Sequence, residues 1–192
     1  FRYSAPYESA YTRFQWRTAT LASQTPGCSL DSRHRVGSHG PGWLFCAGRC
    51  SMSQIQQASF QQLSLERLYE ILHLRVQVFV VEQECAYPEI DNIDFEANHL
   101  WIDDGQGLAS YLRVVQEEEG HRIGRVVTRA DARSKGLSRE LIQYVLTTSQ
   151  GPWVLSAQSY LHDWYDSLGF TQTGAEFLED GIPHIPMRRE IE

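Results

Sequence analysis

The chain has 192 residues and a formal net charge of −7, which is room for one ordinary domain and an appendage. No apolar run approaches the roughly 20 residues of a membrane span, and nothing at the start has the pattern of a secretory signal. Arg2, Arg13, Arg17, Arg33, Arg35 and Arg49 outnumber Glu8 and Asp31 in residues 1–51, so the remainder is more acidic than the whole, and an acidic body repels nucleic acid. Residues 1–51 are rich in Gly, Ser, Arg, Thr and Pro and show no helical or strand period. Three readings stay open for them: a segment foreign to the domain or arising from upstream translation, a disordered leader, or a small ordered appendage, the last kept open by Trp16, Trp43 and Phe45. Of the four cysteines, Cys28, Cys46, Cys50 and Cys85, only Cys85 lies in the part with a folded pattern. That is neither a disulfide framework nor a zinc site, and a reducing, cytoplasmic setting is expected.

Regular structure is expected from Met52, so the domain is taken as residues 52–192. A short strand is expected at 54–59. Ser64 can cap a helix, with Leu63 packing on Leu68 as a staple. Leu65, Leu68, Leu72, Val76 and Phe79 then recur at spacings of three and four, which predicts one apolar face running out near Glu82. A loop at 85–98 carries Glu89, Asp91, Asp94 and Glu96. Strands at 99–102, 107–116 and 123–129, separated by turns, form an antiparallel meander. A helix begins near Leu137, with Leu141, Ile142, Val145 and Leu146 on one face. A strand follows at 153–157. Leu161, Trp164, Tyr165 and Leu168 make another helical stripe, which Gly169 can stop in a left-handed conformation. Strand-like stretches at 171–177 and 184–189 close the chain. The order predicts an α/β fold, a mixed and mostly antiparallel sheet with flanking helices.

The segment 124–138 joins a strand to a helix. A helix N-terminus offers unpaired N–H groups and a partial positive charge, and Gly136 lets the backbone come close to an anion. Arg133 and Lys135, the only lysine in the chain, add formal charge. Neither a Walker loop nor a dinucleotide-binding Gly-x-Gly-x-x-Gly is present. The plain alternative is a basic surface turn.

Arg133-x-x-Gly136-x-Ser138 resembles the Arg/Gln-x-x-Gly-x-Gly/Ala signature of GNAT acetyltransferases, with Ser138 departing from the usual Gly or Ala. Val126-Val127-Thr128 resembles the family strand that pairs with the pantetheine arm. The stretch 157–170, ending Tyr165-x-x-x-Gly169-Phe170, resembles the fourth-helix motif, with Gln158 where Asn is common. Leu74-Arg75-x-x-Val78-Phe79-Val80-Val81-Glu82-Gln83, Asp91-x-x-Asp94 and Glu179-Asp180-Gly181-Ile182-Pro183-His184-Ile185 resemble the ElaA-like branch. The resemblance runs in order from Met52 to the C-terminus. It implies the GNAT fold and acetyl-coenzyme A as co-substrate, with no metal. Val126, Val127, Thr128, Arg133, Ser134, Lys135, Gly136, Leu137, Ser138 and Gln158 would hold the cofactor.

It also implies roles in acetyl transfer. Tyr165 would protonate the departing sulfur, against a plain reading as a core aromatic beside Leu161 and Leu168. A backbone amide of Val127 or Thr128 would polarise the thioester. Glu82 and His184 are candidate bases, and Asp91 and Asp94 could attract the amine; each also reads as a solvated acid or a structural histidine. His73, His99, His121 and His162 read as surface or structural, and direct transfer needs no nucleophile at Cys85. The acceptor is expected to be a small-molecule or peptide amine, with neither nucleic acid nor membrane as partner, and a homodimer is allowed for. Two alternatives remain: an acyl-homoserine-lactone synthase-like enzyme, and a non-catalytic coenzyme A-binding module.

Overall fold

The computed structural model describes residues 54–191; the readings of residues 1–51 and the boundary at Met52 lie outside the described residues. The chain forms β1 (Ile55–Ser59) and then α1 (Leu65–Arg75). The Ser64 hydroxyl accepts from the Arg67 N–H at 3.1 Å, which satisfies one of the free donors at the helix start. The helix runs on into wider π-type turns at Val76–Glu82. Its buried face is Ile71, Leu74 and Arg75, one step round from the stripe expected, and Leu65 is 82% exposed. Hydrophobic spacing missed this face because its centre is an arginine.

The meander is present as β2 (Asn98–Asp104), β3 (Gly107–Glu117) and β4 (Gly120–Thr128). Then follow α2 (Leu137–Thr148), β5 (Trp153–Gln158), a short α3 (His162–Asp166), β6 (Thr171–Gln172), β7 (Phe177–Glu179) and β8 (Ile182–Arg189). The strand expected at 171–177 is two short strands that pair with opposite ends of β8. Gly169 has φ 81°, the left-handed stop expected after α3. The sheet order is β1-β2-β3-β4-β5-β8-β6, with β7 also on β8. This is the mixed, mostly antiparallel sheet that the chain order predicts.

Side chains alternate across the sheet. Leu100, Ile102, Leu112, Val114 and Ile123 face α2 and α3, packing on Leu141, Ile142, Val145, Tyr165 and Leu168. Trp101, Tyr111 and Val127 face the other way and pack on Ile71 and Leu74 of α1. Each large apolar side chain so buried contributes about 1.5–3 kcal/mol.

The site depends on one irregularity. Tyr111 pairs with Val127 but Arg113 pairs with Gly124, so Leu112 faces both Arg125 and Val126. Arg125 takes φ 52° in this bulge. Bulges bend and twist a strand. β4 and β5 run parallel, and they pair only at His121–Trp153 and Arg122–Val154. Beyond that they part, and a cleft opens between their carboxyl ends.

Candidate active site

The cleft reaches both faces of the sheet. At one mouth, Gly136 caps α2 with φ 82°. No heavy atom lies within 4 Å of where a Cβ would stand there, so glycine is set by backbone conformation and the space above it is open. The helical bonding starts with the Glu140 N–H on Gly136 O at 3.0 Å, which leaves the N–H groups of Leu137, Ser138 and Arg139 ahead of it for an anion. Ser134, Leu137 and Ser138 line the cleft, while Lys135 is exposed beside it.

Ser138 departs from a small apolar residue for a visible reason. Its hydroxyl lies 2.6 Å from Thr128 Oγ1, which lies 2.8 Å from Ser110 Oγ, and Ser110 donates to Val127 O at 3.1 Å. The chain of hydroxyls ties the start of α2 to the ends of β3 and β4.

The backbone of β4 can be oriented residue by residue. The Arg129 N–H donates to Ala109 O on the β3 side at 2.9 Å, and Val127 O receives Ser110 from the same side. Residues alternate in direction along a strand, so Val126 and Thr128 turn their N–H and C=O groups into the gap. Val127, expected as one of two candidates to polarise a thioester, turns its amide to β3 instead.

Arg133 spans the mouth. Its Nε donates to Thr128 O at 3.1 Å, and its two terminal nitrogens donate to the two Glu82 oxygens at 2.6 Å each. The hydrogen bonds from Arg133 hold the Glu82 carboxyl below its ordinary range against the opposing effect of burial. Gln158, at the end of β5, donates to Gln83 Oε1 at 3.2 Å, so the second wall is tied to the same helix end.

Tyr165 is placed both in the core and on the cleft wall. Its ring is 5% exposed and packs edge-on to Trp164 and Phe170, as a core aromatic does. The residue also lines the cleft, and among the described residues its hydroxyl has no hydrogen-bond partner. Burial pushes its pKa up, which keeps the proton on. His184 stands on β8 with Nδ1 2.8 Å from Ile182 O. The carbonyl can only accept, so Nδ1 carries the proton and Nε2 keeps a free lone pair. His184 faces away from its neighbour Ile185, which packs with α2 and α3. Tyr165 and His184 therefore meet the cleft from opposite faces of the sheet.

Asp91 and Asp94 are not a free acidic pair. Asp94 Oδ1 accepts from Arg75 at 2.7 Å and from Arg113 at 2.8 Å, and the residue is buried off the cleft wall. Asp91 does line the cleft, but it accepts from Arg113 and Arg125. Glu89 completes the network with Arg75, Arg125 and Tyr87. Three arginines thus answer three carboxylates, and the loop after α1 is clamped to the sheet. His99 is wholly buried between Tyr111 and the Asp94 carbonyl, and burial lowers its pKa, which makes it structural. The Cys85 thiol donates to Asp180 O at 3.3 Å, tying that loop to the β7–β8 turn.

Burial raises the Asp91 pKa, but the hydrogen bond and charge of Arg113, with help from Ile93 N–H and Arg125, outweigh it and pull the group down to about 2 from 3.8. Asp94 is lowered too, where Arg75 and Arg113 overcome burial. Groups lowered on folding contribute stability that is whole above their unfolded pKa and is lost as pH falls through the folded one. The urea midpoint should therefore hold steady from neutral pH to about pH 5 and drop between about pH 4 and 2. A midpoint at pH 3 equal to that at pH 6 would count against the network.

A family model described as an acetyltransferase (GNAT) domain matches residues 56–191. The chain belongs to the GNAT acetyltransferase family. A UPF0039 protein of Schizosaccharomyces pombe is 44% identical to this GNAT protein over 140 residues, covering 69% of this chain and 93% of the relative. Protein ElaA of Escherichia coli is 35% identical over 152 residues, 73% of this chain and 98% of the relative; its crystal structure aligns with TM-score 0.67, covering 72% of this chain and all of that one. The crystal structure of an acyl-CoA N-acyltransferase from Pseudomonas aeruginosa aligns with TM-score 0.68 at 37% identity, covering 71% of this chain and 99% of that one. The GNAT fold expected from the sequence is the fold observed. Among the described residues no helix is long and apolar enough to cross a membrane, and no cluster of His, Cys, Asp and Glu has a metal-site arrangement.

Proposed function

We propose that this GNAT protein transfers acetyl directly from acetyl-coenzyme A to a primary amine. The observation that carries this is the two-faced gap between β4 and β5, with the start of α2 at its mouth and the side chains of Tyr165 and His184 on opposite sides. The pyrophosphate would sit on the N–H groups of Leu137 to Arg139 with Arg133, and Lys135 would add charge outside. The pantetheine arm would run down the gap and pair with the Thr128 backbone, with Gln158 on the facing wall. That leaves the Val126 N–H, deeper in the gap, to polarise the thioester carbonyl. Tyr165 would protonate the departing thiolate from the α3 side. His184 would take the proton from the amine on the other side, through Nε2. Glu82 is the second candidate base, and in this structure Arg133 occupies both of its oxygens. A free buried thiol at Cys85 suits a cytoplasmic setting.

Thiol release from acetyl-coenzyme A in the presence of an amine panel tests the reaction. Bound cofactor with no release across the panel would leave a coenzyme A-binding module. The cofactor site has its own test. Gly136→Ala and Gly136→Glu impose the same left-handed strain, about 1–2 kcal/mol, but only the second puts an anion at the pyrophosphate. Calorimetry should show Gly136→Glu binding coenzyme A at least tenfold more weakly than Gly136→Ala, about 1.4 kcal/mol. Equal affinities in folded proteins would remove the loop from the cofactor site.

A further inference from the structure

Glu82 and Arg133 connect the end of the first helix to the loop ahead of α2. Both Glu82 oxygens accept from the guanidinium, at 2.6 Å each, the same fork by which arginine holds a phosphate. The Arg133 Nε on Thr128 O fixes the plane of that fork.

Two features make the partner exchangeable. The pair is open to water, with 40% of the Arg133 side chain and 35% of Glu82 exposed, against 0% and 7% for Arg75 and Asp94. Exposed pairs are weak. Glu82 is also the last residue of the helical run that begins at Leu65. Unpaired carbonyls at a helix end already carry negative partial charge, so a carboxylate there calls for a cation.

We infer that Glu82 occupies Arg133 where the cofactor diphosphate would otherwise bind, that coenzyme A displaces it, and that the freed carboxylate then seats the ammonium of the arriving acceptor. This rests on the proposed reading of the loop as the pyrophosphate site. A diphosphate wins the exchange because it carries more charge and also takes the N–H groups at the start of α2. Glu82 is then left at a negative helix end without its cation. Its neighbour Gln83 accepts from Gln158, whose register partner on β8 is His184, so an ammonium that replaces Arg133 arrives on the side of the cleft that His184 lines. Without cofactor, an amine meets a neutral ion pair and has no seat. Binding of the first ligand therefore builds the site for the second.

Calorimetry with coenzyme A on the full chain tests the exchange. Glu82→Gln removes the internal competitor and should tighten coenzyme A about two- to fivefold. The gain should vanish in the Glu82→Gln, Arg133→Gln double variant, because the competition acts only through Arg133. Unchanged or weaker binding by Glu82→Gln overturns the exchange, whereas a wild-type protein that binds no coenzyme A overturns the functional reading beneath it. With an acceptor from the amine panel, Glu82→Gln should raise the acceptor KM roughly tenfold while kcat changes less. An unaltered acceptor KM overturns the ammonium seat.

Discussion

On the proposed mechanism, Tyr165→Phe should lower kcat by about 10²–10⁴-fold, the usual worth of a positioned general acid, and leave the fold and the coenzyme A affinity as they were. Only the hydroxyl is removed. The ring keeps its edge contacts with Trp164 and Phe170, and the hydroxyl has no partner among the described residues to leave unsatisfied. Burial raises the Tyr165 pKa, so in the wild type the group stays protonated to high pH and adds no alkaline limb to the kcat profile. Comparing kcat against pH for both forms decides the matter. Wild-type turnover in the Phe variant would make Tyr165 a core aromatic alone.

Arg75→Met destabilises the domain by about 3–5 kcal/mol, because it strands Glu89 and Asp94 as buried charges facing too few arginines. Arg75 is fully buried and its guanidinium bonds both acids. Met nearly matches the length of the lost side chain, so packing changes less than charge does. The melting temperature should fall on the order of 10 °C. A shift of a degree or two would mean that Arg113 and Arg125 alone hold the loop after α1. The comparison with Glu82→Gln is informative, since that exposed pair should leave the melting temperature nearly unchanged.

These two variants also mark what could be read from the chain before folding. Strand and helix identities followed from apolar spacing, and Gly169 announced its left-handed position because few other residues tolerate it. The loop proposed for the cofactor could be picked out because its chemistry is local: a glycine, an arginine and a helix start within a few residues. The arginine–carboxylate network was not. Arg75 meets Asp94 across 19 residues, and Arg113 meets Asp91 across 22, and no periodicity encodes such pairings. The same blindness turned the buried face of α1 by one position, since a scan for apolar spacing discounts an arginine at 75. Asp91 and Asp94 looked free because their partners lie on α1, β3 and β4. The Val127 amide could be set aside only after the bulge fixed which way β4 faces.

The seam between β4 and β5 has a thermodynamic side. Two paired positions hinge the two halves of the sheet, and past them Val126 and the Thr128 N–H turn into the gap, as on an edge strand in the middle of a sheet, while Thr128 O is taken by Arg133. On the proposed reading, the cofactor arm completes that edge as a guest strand. A ligand that binds only the folded form raises its stability by RT ln(1 + [L]/Kd), about 2.7 kcal/mol at a hundred times Kd. The lifetime of this domain would then rise and fall with the supply of its own substrate.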